Sequence, residues 1–238
     1  MFFHDPGYML IMLVGLALTF LPQIWVKSAY NRYSQVPASR GETGAQVAER
    51  ILRENGVTNV IVEEVAGQLS DHYDPGAHAV RLSTDNYHGR SIAGVAIAAH
   101  EVGHALQHAT GYYPVVLRAA MVPVVNLGSQ LGPLLLMVSL GMGAVSHAMP
   151  GWAWGLAWLG VLLFSASVAF HIVTLPVEIN ASMRAIKILS DGRYVTTDEL
   201  PGAKKVLTAA AFTYVAVALY SLIQLAYWVF RLVGSRRN

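Results

Sequence analysis

Along four stretches, residues 8–26, 119–146, 152–173 and 206–230, hydrophobic side chains follow one another with almost no charge. Each stretch is long enough to span about 30 Å of hydrocarbon as a helix. They are apolar on every side, which predicts membrane spans and not amphipathic core helices. In the first, Gln23 is the only strongly polar interruption. The residues before it hold Asp5 and no Lys or Arg, and no small-x-small pattern follows Leu21, so this run reads as an uncleaved anchor and not a signal peptide. The second is longer than a span requires and contains Pro123, Asn126, Gln130 and Pro133, which predicts a kink or a part outside the bilayer. The third holds one ionisable residue, His171, near its end.

Between the first two apolar runs the pattern changes. Residues 43–55 place Ala45, Val47, Ala48, Ile51 and Leu52 on one helical face and Glu49, Arg50, Arg53 and Glu54 on the other, with Gly56 positioned to end the helix. Residues 60–65 and Ala79–Ser83 are short β-rich runs. The segment between them ends in Asp-Pro-Gly turn chemistry, so a two- or three-stranded sheet is expected. From Ser91 to Gly111 the pattern is helical again. The chain then divides into an anchor (1–26), a small α+β part (27–114), two spans (115–175), a helix and loop (176–205) and a last span with a basic tail (206–238). Pro176 is expected to open a new helix at its first turn. The fold class expected is an α-helical integral membrane protein with about four transmembrane helices and a small α+β, zincin-like cytoplasmic part.

Composition agrees with this division. Hydrophobic residues make up 54% of the 238 and charged residues 13%, with mean hydropathy +0.44. A soluble domain carries about twice that charged fraction. With no cysteine, disulfides, Cys-ligated zinc, iron–sulfur clusters and thiol catalysis are all excluded. A net charge of +2 gives no reason to expect a nucleic-acid partner. One side of the four spans would carry residues 27–118 and 184–205, with 13 of the 16 Lys and Arg residues. The positive-inside rule assigns that side to the cytoplasm, although the tail residues Arg231, Arg236 and Arg237 vote the other way.

The helical run after Ser91 contains His100-Glu101-Val102-Gly103-His104. Residues four apart on a helix lie one above the other, so both imidazoles reach one metal ion. Glu101, beside the first, is placed to hold a water and act as general base. A catalytic zinc needs three protein ligands and an open position for a water whose pKa it lowers toward about 7. At this chain's His and Glu content, His-Glu-x-x-His arises by chance in on the order of one chain in a hundred. The bland reading is a pair of surface histidines with a glutamate partner.

The third ligand must come from elsewhere. Glu178, in Leu-Pro-Val-Glu-Ile-Asn-Ala-Ser-Met-Arg-Ala just past the third run, is the best candidate, with a solvated interfacial glutamate as its alternative. His108 is the runner-up, but three successive histidines diverge along a straight helix. His171 is left as a snorkelling, cavity-facing or supporting residue, and His72, His78 and His88 as loop residues. Arg184, six residues past Glu178, is a candidate for stabilising an oxyanion, or an interfacial arginine near lipid phosphates. The Ala79–Ser83 strand is either a pairing edge for an extended substrate or an ordinary edge strand.

Taken together, DHYDPGAHAVRLS, SIAGVAIAAHEVGHALQH and LPVEINASMRA resemble the YugP-like neutral zinc metallopeptidases, a bacterial membrane family. The resemblance covers nearly the whole chain. It implies one zinc ion per chain held by His100, His104 and Glu178, with Glu101 as general base, a gluzincin-like set. More distantly, the chain is similar to the HtpX and CAAX-prenyl endopeptidases, which carry Glu-x-x-Ala-Asp. Alignment of Glu178 with that motif puts Ser182 where the larger group has Asp, so a carboxylate that would orient a zinc ligand is missing or comes from elsewhere.

Both arms of this constellation lie close to apolar runs, which predicts a site at or just above the headgroups, facing the cytoplasm of a bacterial inner membrane. The expected function is a zinc-dependent membrane endopeptidase acting on membrane or misfolded proteins, with the bilayer as its other partner. A zinc-stabilised adaptor without turnover and a zinc hydrolase of a non-peptide substrate are the alternatives. The spans carry almost no charge at mid-depth, which argues against a transporter.

Overall fold

A computed structural model describes residues 6–145 and 150–235. Ser146, the turn at 149 and the pair Arg236 and Arg237 lie outside the described residues. In order, the elements are α1 (Pro6–Tyr33), α2 (Gly44–Glu54), β1 (Ile61–Val65), β2 (His72–Asp74), β3 (Ala79–Ser83), α3 (Thr84–His88), α4 (Ile92–Ala109), α5 (Tyr113–Val145), α6 (Gly151–Asp191) and α7 (Leu200–Ser235). Among the described residues four helices, α1, α5, α6 and α7, are long and apolar enough to cross a membrane.

The chain forms two compact units. One comprises the start of α1, residues 117–175 and the chain from 214 onward. Its core is Leu136, Leu140, Ala157, Val161, Phe164, Val168, Trp228 and Leu232. Here Gly128, Gly132 and Gly160 let α5 and α6 approach so closely that a Cβ at any of them would strike the other helix's backbone. Small residues serve this purpose where no hydrophobic force joins helices in lipid. Exposed Leu, Val, Met and Trp side chains cover the unit, as a lipid-facing surface requires.

The other unit comprises residues 21–116 and 176–213. α2 is opened by a capping box in which Thr43 and Gln46 exchange backbone and side-chain hydrogen bonds. Its apolar face packs Val47, Ala48, Ile51 and Leu52 against Val80 and Leu82 of β3 and Val95, Ala98, Ala99 and Val102 of α4. Ala185 and Leu189 of α6 and Leu207 of α7 complete this core. The sheet order is β1-β3-β2, with β1 parallel and β2 antiparallel to β3. Asp71 ties the sheet to its surroundings by accepting from the Ser83 N–H and hydroxyl and from Asn86 Nδ2. Tyr30 of α1 donates to the same Asn86.

Three expectations are corrected. β3 is the central strand, bonded on both sides, so it offers no edge to a substrate. Pro176 opens no new helix, because α6 runs from Gly151 to Asp191 with Pro176 inside it. Proline within a helix removes one backbone bond and costs about 3 kcal/mol. Burial of Val177, Ala181, Ala185 and Leu189, each with no exposed surface, outweighs that local cost. Finally, His72 lies on β2 and His88 on α3, whereas only His78 is in a turn. His72 is held at the Ser70 carbonyl and His88 at Glu64.

Candidate metal centre

α4 starts at Ser91, whose hydroxyl accepts the Gly94 N–H, and is buried along most of its length. Four residues apart, the His100 and His104 rings stand 4.8 Å apart at an interplanar angle of 85°. Gly103 lies between them and packs against α6. A Cβ added there would sit 2.9 Å from the Ala181 carbonyl oxygen and 3.3 Å from the Ala181 Cα. That approach brings Glu178, one turn before Ser182 on α6 and only 3% exposed, up to both imidazoles. Its Oε2 is 3.5 Å from His100 Nε2 and 3.4 Å from His104 Nε2. One donor atom from each of the three residues falls within 4.8 Å of the others.

These separations fit a metal ion. A tetrahedral ion with bonds of about 2.1 Å has ligand–ligand edges of about 3.4 Å. Two imidazoles and a carboxylate, without thiolate, are a donor set that zinc accepts. The histidines are held from behind. His104 Nδ1 faces Gln107 Oε1 at 3.0 Å, and His100 Nδ1 faces the Ser182 hydroxyl at 3.2 Å. Both rings therefore turn Nε2 toward Glu178. Where the larger group has Asp, this chain thus sets the Ser182 hydroxyl against His100 Nδ1.

Glu101 is 8% exposed. Burial pushes its carboxyl above the usual range, His100 and His104 pull it back, and Asp71 and Glu178 add to the rise. A bound cation would pull it down again. For His104, burial favours the neutral ring, but the hydrogen bond and charge of Glu178, with Glu101, outweigh it and raise the pKa. Protons therefore compete with a metal for this ring.

The remaining candidates lie outside this group. His108 is exposed on α4 with its ring 5.3 Å from that of Tyr73. His171 lies in the other unit beside Phe170. Arg184 donates from Nε to Asn180 Oδ1 at 2.8 Å, and its guanidinium lies 5.9 Å from the Tyr112 ring centroid. Sequence reasoning missed Gln107 and Asn180. The available signal was spacing, since Gln107 follows His104 by three residues on the same helical face.

Residues 8–233 match the model of a family described as "Putative neutral zinc metallopeptidase". This chain belongs to that metallopeptidase family. A relative from Bacillus subtilis (strain 168), "Putative membrane protease YugP", is 45% identical over 229 residues, covering 96% of this chain and 98% of the relative. No solved structure matches the chain.

Proposed function

We propose that this metallopeptidase is an integral-membrane zinc endopeptidase that cleaves membrane or misfolded proteins near the cytoplasmic face of a bacterial inner membrane. The observation that carries the reading is the donor triad: two Nε2 atoms, each at tetrahedral-edge distance from one carboxylate oxygen, beside a buried glutamate. His100, His104 and Glu178 would hold one ion, a gluzincin-like arrangement. Bound there, zinc supplies a Lewis acid that polarises a carbonyl and acidifies water.

The chain's own residues do the rest. Ser182 and Gln107 keep the imidazoles aimed, so that little reorganisation is needed at each turnover. Glu101 takes the proton of the water whose oxygen attacks the scissile carbonyl carbon. It then delivers that proton to the amide nitrogen as the C–N bond breaks, leaving one carboxylate and one amine product. Burial favours its protonated form and a bound cation its ionised form, so the two effects oppose each other at this carboxylate. A non-catalytic adaptor has no use for such a base. Membrane substrates follow from the four apolar helices and from a relative named as a membrane protease.

The test is Glu101→Gln in detergent, assayed on an unfolded protein substrate with zinc content measured in parallel. The variant is expected to keep its zinc and lose at least a hundredfold in rate, the scale of general base catalysis. Full cleavage by a zinc-loaded Glu101→Gln would overturn the mechanism.

A further inference from the structure

Behind His104 runs a chain of buried and part-buried hydrogen bonds that reaches Arg184. Gln107 has no exposed surface. Its Nε2 lies 2.8 Å from the Val177 carbonyl oxygen and 3.0 Å from Asn180 Oδ1. Asn180 Oδ1 also receives Arg184 Nε at 2.8 Å. We propose that Arg184, Asn180 and Gln107 are positioning residues that fix His104 as the tautomer with a free Nε2 lone pair, the form that takes a metal ion.

Both ends of this hydrogen-bond chain are groups of fixed polarity. A backbone carbonyl only accepts, so the end of Gln107 facing Val177 must be its NH2 group. An arginine Nε only donates, so the Asn180 atom it meets must be the amide oxygen. That oxygen accepts the second hydrogen of Gln107 Nε2. Both ends of the chain therefore give the same answer independently, and the Gln107 amide oxygen is left facing His104 Nδ1. An amide oxygen cannot donate, so Nδ1 carries the hydrogen. In a neutral ring, Nε2 then carries the lone pair, and Nε2 is the atom 3.4 Å from Glu178. The opposite tautomer would set the Nδ1 and Gln107 lone pairs against each other, whereas in the favoured one the Nε2 lone pair faces Glu178 Oε2 and a cation held by both relieves the repulsion.

His100 is treated differently. Its partner is the Ser182 hydroxyl, which donates or accepts as required, so no tautomer is imposed there. The two ligands are thus unequal: His104 is fixed and His100 adapts. Arg184, weighed from sequence as an oxyanion stabiliser or an interfacial arginine, acts in this proposal through Asn180 and Gln107.

The inference leans on the metallopeptidase reading only for the identity of the ion, and its test needs no substrate. Zinc affinity is measured by chelator competition for wild type, Gln107→Leu, Gln107→Glu and Arg184→Ala, with unfolding of each metal-free variant recorded. Gln107→Leu and Gln107→Glu are expected to bind zinc about 10- to 100-fold more weakly, and Arg184→Ala more weakly by a smaller factor. Where the Gln107 variants fail to fold, Arg184→Ala, half-buried and not itself a core residue, carries the measurement. Affinities within twofold of wild type would overturn the proposal. An oxyanion-stabilising arginine would give that result together with a lowered kcat. The 15N shifts of His104 in the zinc-loaded protein should show hydrogen on Nδ1 and the metal on Nε2, and metal on Nδ1 would overturn the proposal. Tight zinc binding without cleavage would sink the peptidase reading and leave this inference standing.

Discussion

Replacing Gly103 by alanine tests whether the close approach of α4 to α6 builds the metal centre. A Cβ there would stand 2.9 Å from the Ala181 carbonyl oxygen, 3.3 Å from its Cα and 3.4 Å from its carbonyl carbon. Ordinary contact begins near 3.4 Å, and the atoms met are backbone, which cannot swing aside. The helices must separate by about 0.5 Å, an overpacking that costs roughly 1–3 kcal/mol. His100 and His104 ride on one helix and Glu178 on the other, so the edges of 3.4 and 3.5 Å lengthen by a similar amount. Metal–ligand distances tolerate about 0.2 Å. Zinc affinity should therefore fall tenfold or more, at about 1.4 kcal/mol per tenfold. Helix propensity pushes the other way, since alanine favours the helix over glycine by about 1 kcal/mol. The metal-free protein should thus lose little stability while the zinc complex weakens. Chelator competition reads the first quantity and thermal unfolding in chelator reads the second. Zinc binding within twofold of wild type would refute the claim that this contact sets the site, and equal loss in both states would mean general unfolding.

Two further predictions concern the unit that carries the site. Asp71→Ala strands the Ser83 N–H and hydroxyl and the Asn86 amide, so it should cost about 1–3 kcal/mol, read by denaturant or thermal unfolding; a loss under about 0.5 kcal/mol would contradict the role given to it. Glu54 receives the Tyr194 hydroxyl and Arg50 Nε, which lower its pKa below 4.5 in the folded state. Its stabilising contribution is therefore present above that value and is lost as pH falls through the lower folded pKa, so Glu54→Gln should make the unfolding temperature less sensitive to acid.

What could be read along the chain was what repeats locally. α2 and α4 announce themselves by apolar spacing and by caps at Thr43 and Ser91, and the four long helices by uninterrupted hydrophobicity. β3 was legible as a short β-rich run preceded by turn chemistry. β2 has three residues and α3 five, too few to carry a period. The order β1-β3-β2 depends on a parallel pairing across residues 61–83, and nothing local in β3 marks it as central. At Pro176 the local rule gave the wrong expectation, because burial of the α6 face on both sides is a tertiary effect. The chain from Arg184 to His104 was invisible for a related reason: Gln107 and Asn180 are 73 residues apart, and only folding makes them neighbours. Ser182 was noticed in sequence as a departure from a carboxylate, whereas in the fold it proves to be a partner of His100.

The most direct test of the account is the zinc content of the purified wild-type protein beside that of Glu178→Ala, each after dialysis against a weak chelator. Three ligands from α4 and α6 predict one zinc per wild-type chain and loss of most of it from the variant. A Glu178→Ala protein that folds and keeps a full equivalent of zinc would contradict the metal centre described here.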